Sequence, residues 1–296
     1  MNNIAIVVVT YNRLNLLKEE IASLRNQSYV NFQIIVVNNG STDETLTWLR
    51  EQNDIITITQ DNCGGAGGFY TGMKYAAENG YEYCWIMDDD VICDKNALSE
   101  LVKAYDVKPN IGFVCSKVIG TNGCPMNTPV VDDRGTENGY AEYYDLIENG
   151  MIKVKRATFV SVFFSSKIIY EIGLPYKDYF IWGDDYEYTA RISLKYASYI
   201  ACRSVVTHKR SIQRTLSFAE ETNEVRLKNY YYKFRNEGYN SIKYEHRNKY
   251  KVIFNLIKRS IKLFLKFKMK NAGILIKSSI ALLSFNPSIT YPNKNL

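Results

Sequence analysis

Cys84-Trp85-Ile86-Met87-Asp88-Asp89-Asp90 is the stretch on which the reading of the chain turns. The first four residues are apolar or aromatic without interruption, as in a short buried strand. Three carboxylates follow at once. With strand geometry continued, Asp88 and Asp90 point to one side and Asp89 to the other. Adjacent anions repel, so the group calls for a cation, and carboxylate oxygens suit Mg²⁺ or Mn²⁺. Ligands of open α/β sheets sit at the C-terminal ends of strands, where these residues fall. The plainer alternative is an acidic turn that caps a helix at Lys95-Asn96-Ala97-Leu98.

Upstream, Ile4-Ala5-Ile6-Val7-Val8-Val9 is an unbroken run of the kind buried on both faces in a parallel sheet. Thr10-Tyr11-Asn12-Arg13 closes it, and Leu14, Leu17, Ile21 and Leu24 predict a helix to about Asn26. Ile34-Ile35-Val36-Val37 is a second strand, ending in the turn Asn38-Asn39-Gly40-Ser41-Thr42-Asp43. Leu46 and Leu49 mark a helix, Ile55-Ile56-Thr57-Ile58 a third strand, and Asn62-Cys63-Gly64-Gly65-Ala66-Gly67-Gly68-Phe69 leads into a helix through about Asn79. Strands alternating with helices at this spacing predict a doubly wound, mostly parallel α/β sheet.

Downstream, the order loosens after Leu98 to Tyr105, and residues 120–150, rich in Gly, Asn, Asp and Pro, read as a long loop or irregular insertion. Phe159 to Phe164 reads as a strand, and Ser166 to Ile172 as a short helix stopped by Gly173 and Pro175. Tyr179-Phe180-Ile181-Trp182-Gly183-Asp184-Asp185-Tyr186-Glu187 opens a helix to about Tyr196, Ile200 to Val206 is a last strand before Thr207-His208-Lys209, and the pattern turns helical from Thr215.

The 296 residues are enough for a full core plus a smaller appendage, and 46% apolar with 23% charged is ordinary for a folded protein. Six cysteines without a C-x-x-C pair and only 2 histidines argue against a zinc module and for reduced thiols in a cytosolic setting. Met1-Asn2-Asn3 runs straight into the first strand, so no secretory signal is expected. The net charge of +6 is unevenly placed: residues 246–296 hold eleven Lys or Arg and no acid, leaving 26 basic and 31 acidic residues in 1–245.

Four features fall at strand ends or helix starts: Thr10 to Arg13, Asn39 to Asp43, Asn62 to Phe69 and Asp88 to Asp90. Parallel strand ends share one edge, so all four are expected to line one cleft. The glycines would let backbone approach a ligand, with a helix N-terminus behind them for an anion. The stretch lacks the Gly-Lys-Ser/Thr ending of a phosphate-binding loop. Beside three aspartates, a diphosphate-plus-metal site is the expectation. Trp182-Gly183-Asp184-Asp185-Tyr186-Glu187 reads either as helix capping or as a general base beside an aromatic face for a sugar. His208 is either structural or a third metal ligand.

Together these segments resemble the inverting family 2 glycosyltransferases of the GT-A fold, within them the galactofuranosyltransferase and rhamnosyltransferase branch. The resemblance covers roughly residues 4–210, with Tyr231-Tyr232-Lys233-Phe234-Arg235-Asn236 as a further shared element. It rests on Asn62-x-Gly-Gly-Ala-Gly-Gly-Phe, Asp88-Asp89-Asp90 and Trp182-Gly183-Asp184-Asp185 more than on Thr10-Tyr11-Asn12-Arg13. It implies that Thr10, Arg13, Asn39 and Asn62 contact the nucleotide, with Gly64, Gly65, Gly67, Gly68 and Asp89 also on the donor. It implies that Asp88 and Asp90 hold Mg²⁺ or Mn²⁺ and the donor diphosphate, with His208 as a further ligand. Asp185 is then the base, or Asp184 in the other register that Gly183 leaves open, and Trp182 positions a sugar. Asn38-Asn39 departs from the Asp that many members carry there, which leaves uridine and thymidine donors both open.

The tail carries Lys258, Lys262, Lys266 and Lys270 as an i+4 series beside Val252, Ile253, Leu256, Ile257, Ile261, Phe264 and Phe267, a basic amphipathic helix. A second apolar piece, Ile274 to Phe285, is broken by Lys277, and neither piece reaches the roughly 20 apolar residues of a membrane span. The expectation is a catalytic domain over 1–210 and a helical, membrane-associating region over 211–296 that lies on anionic lipid. The enzyme would sit at the cytoplasmic face of a bacterial inner membrane and bind no nucleic acid. By the resemblance it moves a sugar, first choice galactofuranose from UDP-galactofuranose and second rhamnose from dTDP-rhamnose, onto a lipid-linked or polysaccharide acceptor for capsule or O-antigen. A sugar nucleotidyltransferase would want a basic glycine loop after the first strand, and a carbohydrate-binding protein would not need Asp88, Asp90 and Asp185 together.

Overall fold

The computed structural model describes residues 3–210 and 217–293. Met1, Asn2 and Thr215, on which two of the expectations above rest, lie outside the described residues. The first half alternates as the periodicity predicts: β1 (Ile4–Thr10), α1 (Leu14–Arg25), β2 (Phe32–Asn38), α2 (Thr45–Arg50), β3 (Ile55–Thr59), α3 (Gly64–Glu78) and β4 (Tyr83–Asp88). Parallel pairing runs β3-β2-β1-β4. Alternate residues of β1 feed two cores. Ile4, Ile6 and Val8 pack with α1, while Ala5, Val7 and Val9 pack with α3. Every residue of β1 is buried, which is why it reads as one apolar run without alternation.

The remaining elements are β5 (Val91–Cys93), α4 (Ala97–Tyr105), β6 (Ile111–Gly120), β7 (Val130–Val131), β8 (Met151–Arg156), β9 (Val162–Ser165), α5 (Ser166–Ile172), α6 (Asp184–Ser193), β10 (Ala197–His208), α7 (Glu224–Tyr244), α8 (Lys249–Phe264) and α9 (Met269–Ser284). The sheet continues β4-β9-β6-β10-β8-β7, with β9 antiparallel to both neighbours and β10 parallel to β6. β6 and β8 are strands where the sequence reading saw loosening order. β6 holds Gly112, Ser116 and Lys117, which break its apolar run. The Ser116 hydroxyl is bonded at 2.7 Å to those of Ser161 and Ser204, partners that no local pattern reveals. β8 buries only Met151 and Val154, so it lacks the period-2 pattern of a strand. Most of 120–150 is irregular, as expected.

α6 starts at Asp184, later than the expected Tyr179. Phe180, Trp182 and Gly183 have φ of 62°, 62° and 92°, a left-handed stretch that no helix continues through. α3 lies close on β1 because Gly68 and Gly72 face it: a Cβ at Gly72 would stand 2.3 Å from Val7 Cγ1. Gly72→Ala is therefore expected to destabilise the fold by about 1–3 kcal/mol, since overpacking outweighs the helix propensity gained. The urea unfolding midpoint measures it, and an unchanged or raised midpoint would mean that α3 shifts without cost.

Candidate active site

The first four strands end together. Thr10 lies beside Asn38, Asn38 beside Thr59, and Val9 beside Asp88. Across this edge the Thr10 hydroxyl donates to Asp89 Oδ2 at 2.8 Å. Arg13 Nη1 reaches Asp89 Oδ1 and Asp90 Oδ2, each at 3.0 Å. Asp89 and Asp90 form the turn between β4 and β5, and β5 pairs antiparallel with the end of β10, placing Val91 opposite His208. His208 Nε2 is thereby 2.9 Å from Asp90 Oδ1.

Asp88, Asp90 and His208 offer ligand atoms that all lie within 4.8 Å of one another. The electrostatics of the group are those of anions short of positive charge. Burial, then the Asp90 charge, pushes the Asp88 carboxyl up to about 7 against the pull of His208. Burial lifts Asp89 to about 6 against Arg13 and Thr10. Asp90 is also desolvated, yet its hydrogen bond and charge interaction with His208 hold it below the ordinary range. His208 is raised: burial opposes this, but Asp90 and then Asp88 outweigh it. Asn127, which no motif marks in the sequence, sits 2.9 Å from His208 Nδ1 through its Oδ1. An amide oxygen only accepts, so Nδ1 carries a proton toward Asn127, and Nε2, 2.9 Å from Asp90 Oδ1, donates to that carboxylate while the ring is protonated and offers its lone pair to a cation once that proton leaves. Behind them, Glu20 of α1 is fully buried with neither carboxyl oxygen bonded among the described residues, and burial followed by the three aspartates raises it well above the usual range. This donor set fits a hard divalent cation.

The glycine loop packs closely on other parts of the chain. Gly64 has φ +75° and a Cβ there would overlap the Phe180 carbonyl oxygen, which accepts from Ala66 N at 3.1 Å. A Cβ at Gly67 would meet Cys63 Sγ at 2.4 Å, and one at Gly68 would meet Val9 Cγ1 at 2.3 Å. These three glycines admit other parts of the chain; only Gly65 of the four faces open space. Asn39 is likewise engaged inside the protein and is 2% exposed. Its Nδ2 donates to Gly64 O at 3.0 Å, and its Oδ1 accepts from Gln60 Nε2 at 2.8 Å. Asn62 Oδ1 accepts from Gly64 N at 2.9 Å. Both ends of the Asn39 amide thus tie the loop to its neighbours.

Asp184 and Asp185 open α6 after the left-handed stretch. α7 holds that stretch from outside. Asn236 Nδ2 donates to Tyr179 O at 3.0 Å and Trp182 O at 2.8 Å, and Asn240 Nδ2 to Gly183 O at 3.0 Å. Tyr179 OH donates to Asn240 Oδ1 at 2.7 Å, and Arg235 Nη2 to Asp178 O at 2.7 Å. Such backbone persists only where its surroundings fix it, and here α7 does so. Asp184 is buried, and burial, then Asp185, with Asp88 also contributing, raises its carboxyl well above the usual range. Asp185 is raised by burial and takes Tyr186 N at 2.7 Å on Oδ1. Asp185, Gly183 and Trp182 line a cavity of about 590 Å³; Asp184 does not. Trp182 stands 5.4 Å from the Tyr230 ring.

A mostly parallel α/β sheet with an acidic group at the end of β4 and helices after the last strand is the layout of the GT-A fold. The chain matches Glycosyl transferase family 2 over residues 5–164, more than half its length, and belongs to that family. It is 27% identical over 118 residues to the poly-beta-1,6-N-acetyl-D-glucosamine synthase of Staphylococcus aureus (strain MSSA476), 38% of this chain and 28% of that protein. It is 34% identical over 90 residues to an uncharacterized glycosyltransferase of Rickettsia typhi (strain ATCC VR-144 / Wilmington), 30% of this chain and 27% of that one. The match thus spans less than a third of either relative. Among solved structures, S. aureus TarS 1-349 in complex with UDP-GlcNAc superposes with a TM-score of 0.57 at 16% identity, over 95% of this chain and 84% of that one. At that identity the likeness is one of fold.

Proposed function

We propose that this chain transfers a sugar from a nucleoside diphosphate donor to an acceptor hydroxyl with inversion at the anomeric carbon. The observation that carries the reading is the convergence of Asp88, Asp90 and His208 at one strand edge, near enough for the Asp88 charge to act on Asp184. Asp88, Asp90 and His208 would hold Mg²⁺ or Mn²⁺, which when bound would supply charge neutralisation for a departing diphosphate. Thr10 and Arg13 keep Asp89 and Asp90 in place. Asp185, in the cavity, takes the proton of the acceptor hydroxyl as that oxygen attacks the anomeric carbon, and the leaving diphosphate departs on the opposite face. Trp182 offers a face to a sugar ring. A single displacement needs no covalent intermediate.

Galactofuranose from UDP-galactofuranose is the first donor, on the resemblance of the glycine and aspartate motifs, and dTDP-rhamnose the second. The TarS structures with UDP and with UDP-GlcNAc favour uridine and make UDP-GlcNAc a competitor. Release of nucleoside diphosphate from the three donors with a divalent cation tests the reading. Release from UDP-galactofuranose above the others supports it, release from UDP-GlcNAc reassigns the sugar, and no release from any removes the transferase reading.

For the partner beyond the donor, α8 and α9 point to a lipid surface. Phe254, Ile261, Phe264, Leu265, Phe267 and Met269 are exposed, and Lys258, Lys262, Lys266, Lys268 and Lys270 surround them. Among the described residues no helix is long and apolar enough to cross a membrane. The reading is attachment to the anionic cytoplasmic face of a bacterial inner membrane, with the 1–210 catalytic part held near a lipid-linked acceptor and 211–296 serving as the anchor. Leu265→Asp with Phe267→Asp, at positions 72% and 88% exposed, adds anions at the lipid face without touching the core. Sedimentation with anionic vesicles is expected to fall at least about tenfold, given ~1 kcal/mol for each basic residue near the surface and the lost apolar contact. Unchanged sedimentation, or binding indifferent to lipid charge, would assign the helices to packing alone.

A further inference from the structure

The cavity beside Asp185 is lined by Trp182 and Gly183 but by none of Asp88, Asp90 or His208, so the residues that would hold a cation do not form its wall. Its walls are strongly charged. Five cationic side chains, Arg156, Arg210, Arg226, Lys233 and Arg247, line it with the carboxyls of Asp185, Glu221, Glu237 and Glu245. The pairing among them is uneven. Glu245 serves two arginines, at 3.5 Å from Arg156 Nη1 and 2.9 Å from Arg247 Nε, and also accepts from Tyr186 OH at 2.8 Å. Glu221 is turned onto its own backbone, taking Thr222 N at 3.0 Å and Asn223 N at 2.9 Å, with Arg226 3.5 Å away. Glu237 is 3.7 Å from Lys233, and burial biases it toward its neutral form.

Arg156 is the best-placed of the cations. It ends β8, one residue before Ala157 and two before Thr158, which line the same cavity. Its guanidinium centre lies 4.0 Å from the centroid of the Tyr186 ring, next in sequence to Asp185, so the plane is held by stacking. Its buried Nε has no hydrogen-bond acceptor among the described residues. A guanidinium fixed in this way, with donor capacity left over, matches a planar or tetrahedral oxyanion better than a neutral hydroxyl.

Resting on the transferase reading, we propose that the acceptor is an anionic glycan, whose phosphodiester or sugar carboxylate seats against Arg156 and Arg247 and so presents the neighbouring hydroxyl to Asp185. A neutral glycan would leave these cations competing for Glu245. The shared chemistry is an oxyanion within one sugar unit of the attacking hydroxyl.

Binding of three matched probes to the full-length protein tests this: a neutral hexose trisaccharide, the same with one phosphodiester, and the same with one glucuronate. One anionic probe is expected to bind roughly tenfold more tightly than the neutral one, as a charge-assisted contact gives, and to weaken with salt. Preference for the phosphodiester or for the glucuronate says which oxyanion is read. Arg156→Gln and Arg247→Gln are expected to remove the preference. Glu245→Gln keeps an acceptor for Tyr186 but removes the competing charge, and is expected to strengthen it, a gain that misfolding does not produce. Equal or tighter binding of the neutral probe, no binding of any probe, or loss of the preference in Glu245→Gln overturns the proposal. Nucleoside diphosphate release by the wild type, lost in Asp88→Ala, reports on the transferase reading independently of acceptor charge.

Discussion

Asp88→Ala and Asp90→Ala are each expected to abolish sugar transfer and cation-dependent donor binding. Each removes one of three ligands from a group within 4.8 Å, and each leaves the other carboxylate with His208 alone. The loss in cation affinity should exceed the 10- to 100-fold typical of residues that only orient a ligand. Asn127→Ala, which frees the His208 ring, is expected to fall inside that smaller range. Cation titration followed by donor binding measures all three variants. The wild type adds a pH test with a definite sign. Asp88, raised to about 7, and His208, raised by Asp90 against its burial, must both be deprotonated to ligate. Cation affinity is therefore expected to fall as pH drops through 7. Full activity in both Ala variants, or an affinity flat with pH, would sink the triad as a cation site.

Asp185→Asn is expected to keep donor binding near the wild-type level and lower turnover by ~10²- to 10⁴-fold, the usual cost of losing a general base. The substitution is well matched to the fold, since Asn Oδ1 can still accept from Tyr186 N and preserve the start of α6. Asp184→Asn should behave otherwise, because Asp184 is buried away from the cavity that Asp185 lines. Steady-state kinetics with donor and acceptor varied separately distinguish the two. If Asp184→Asn loses turnover at constant donor affinity while Asp185→Asn does not, the base is Asp184.

How far the sequence could be read depended on how local the causes were. β1 to β4 and α1 to α3 were legible because buried parallel strands and amphipathic helices write their period into consecutive residues. The meeting of Thr10, Arg13 and Asp89 was legible because parallel strand ends must share an edge. β6 was not, since its polar Ser116 is satisfied by Ser161 and Ser204, far away in sequence. The close packing of Gly64 on Phe180 and of Gly68 on Val9 was not legible, because those partners lie in other segments. Asn236 and Asn240 carried no periodic signal as a brace, because their partners are the carbonyls of a loop more than fifty residues earlier, at Tyr179, Trp182 and Gly183.

The strand order has a consequence for the chain as it is being synthesised. β4 gains its second neighbour only when β9 arrives, and β6 is flanked only once β9 and β10 are both present. A nascent chain released through residue 90 would thus expose the open edge of β4 and hold three adjacent carboxylates with Arg13 as their cationic partner. His208 emerges last of the sheet residues, so the cation site cannot close before the sheet does. Early fragments should then be sticky along β4, a hazard of unpaired strand edges. Arg13, already in place from the first βα unit, would be what quiets Asp89 and Asp90 during the wait.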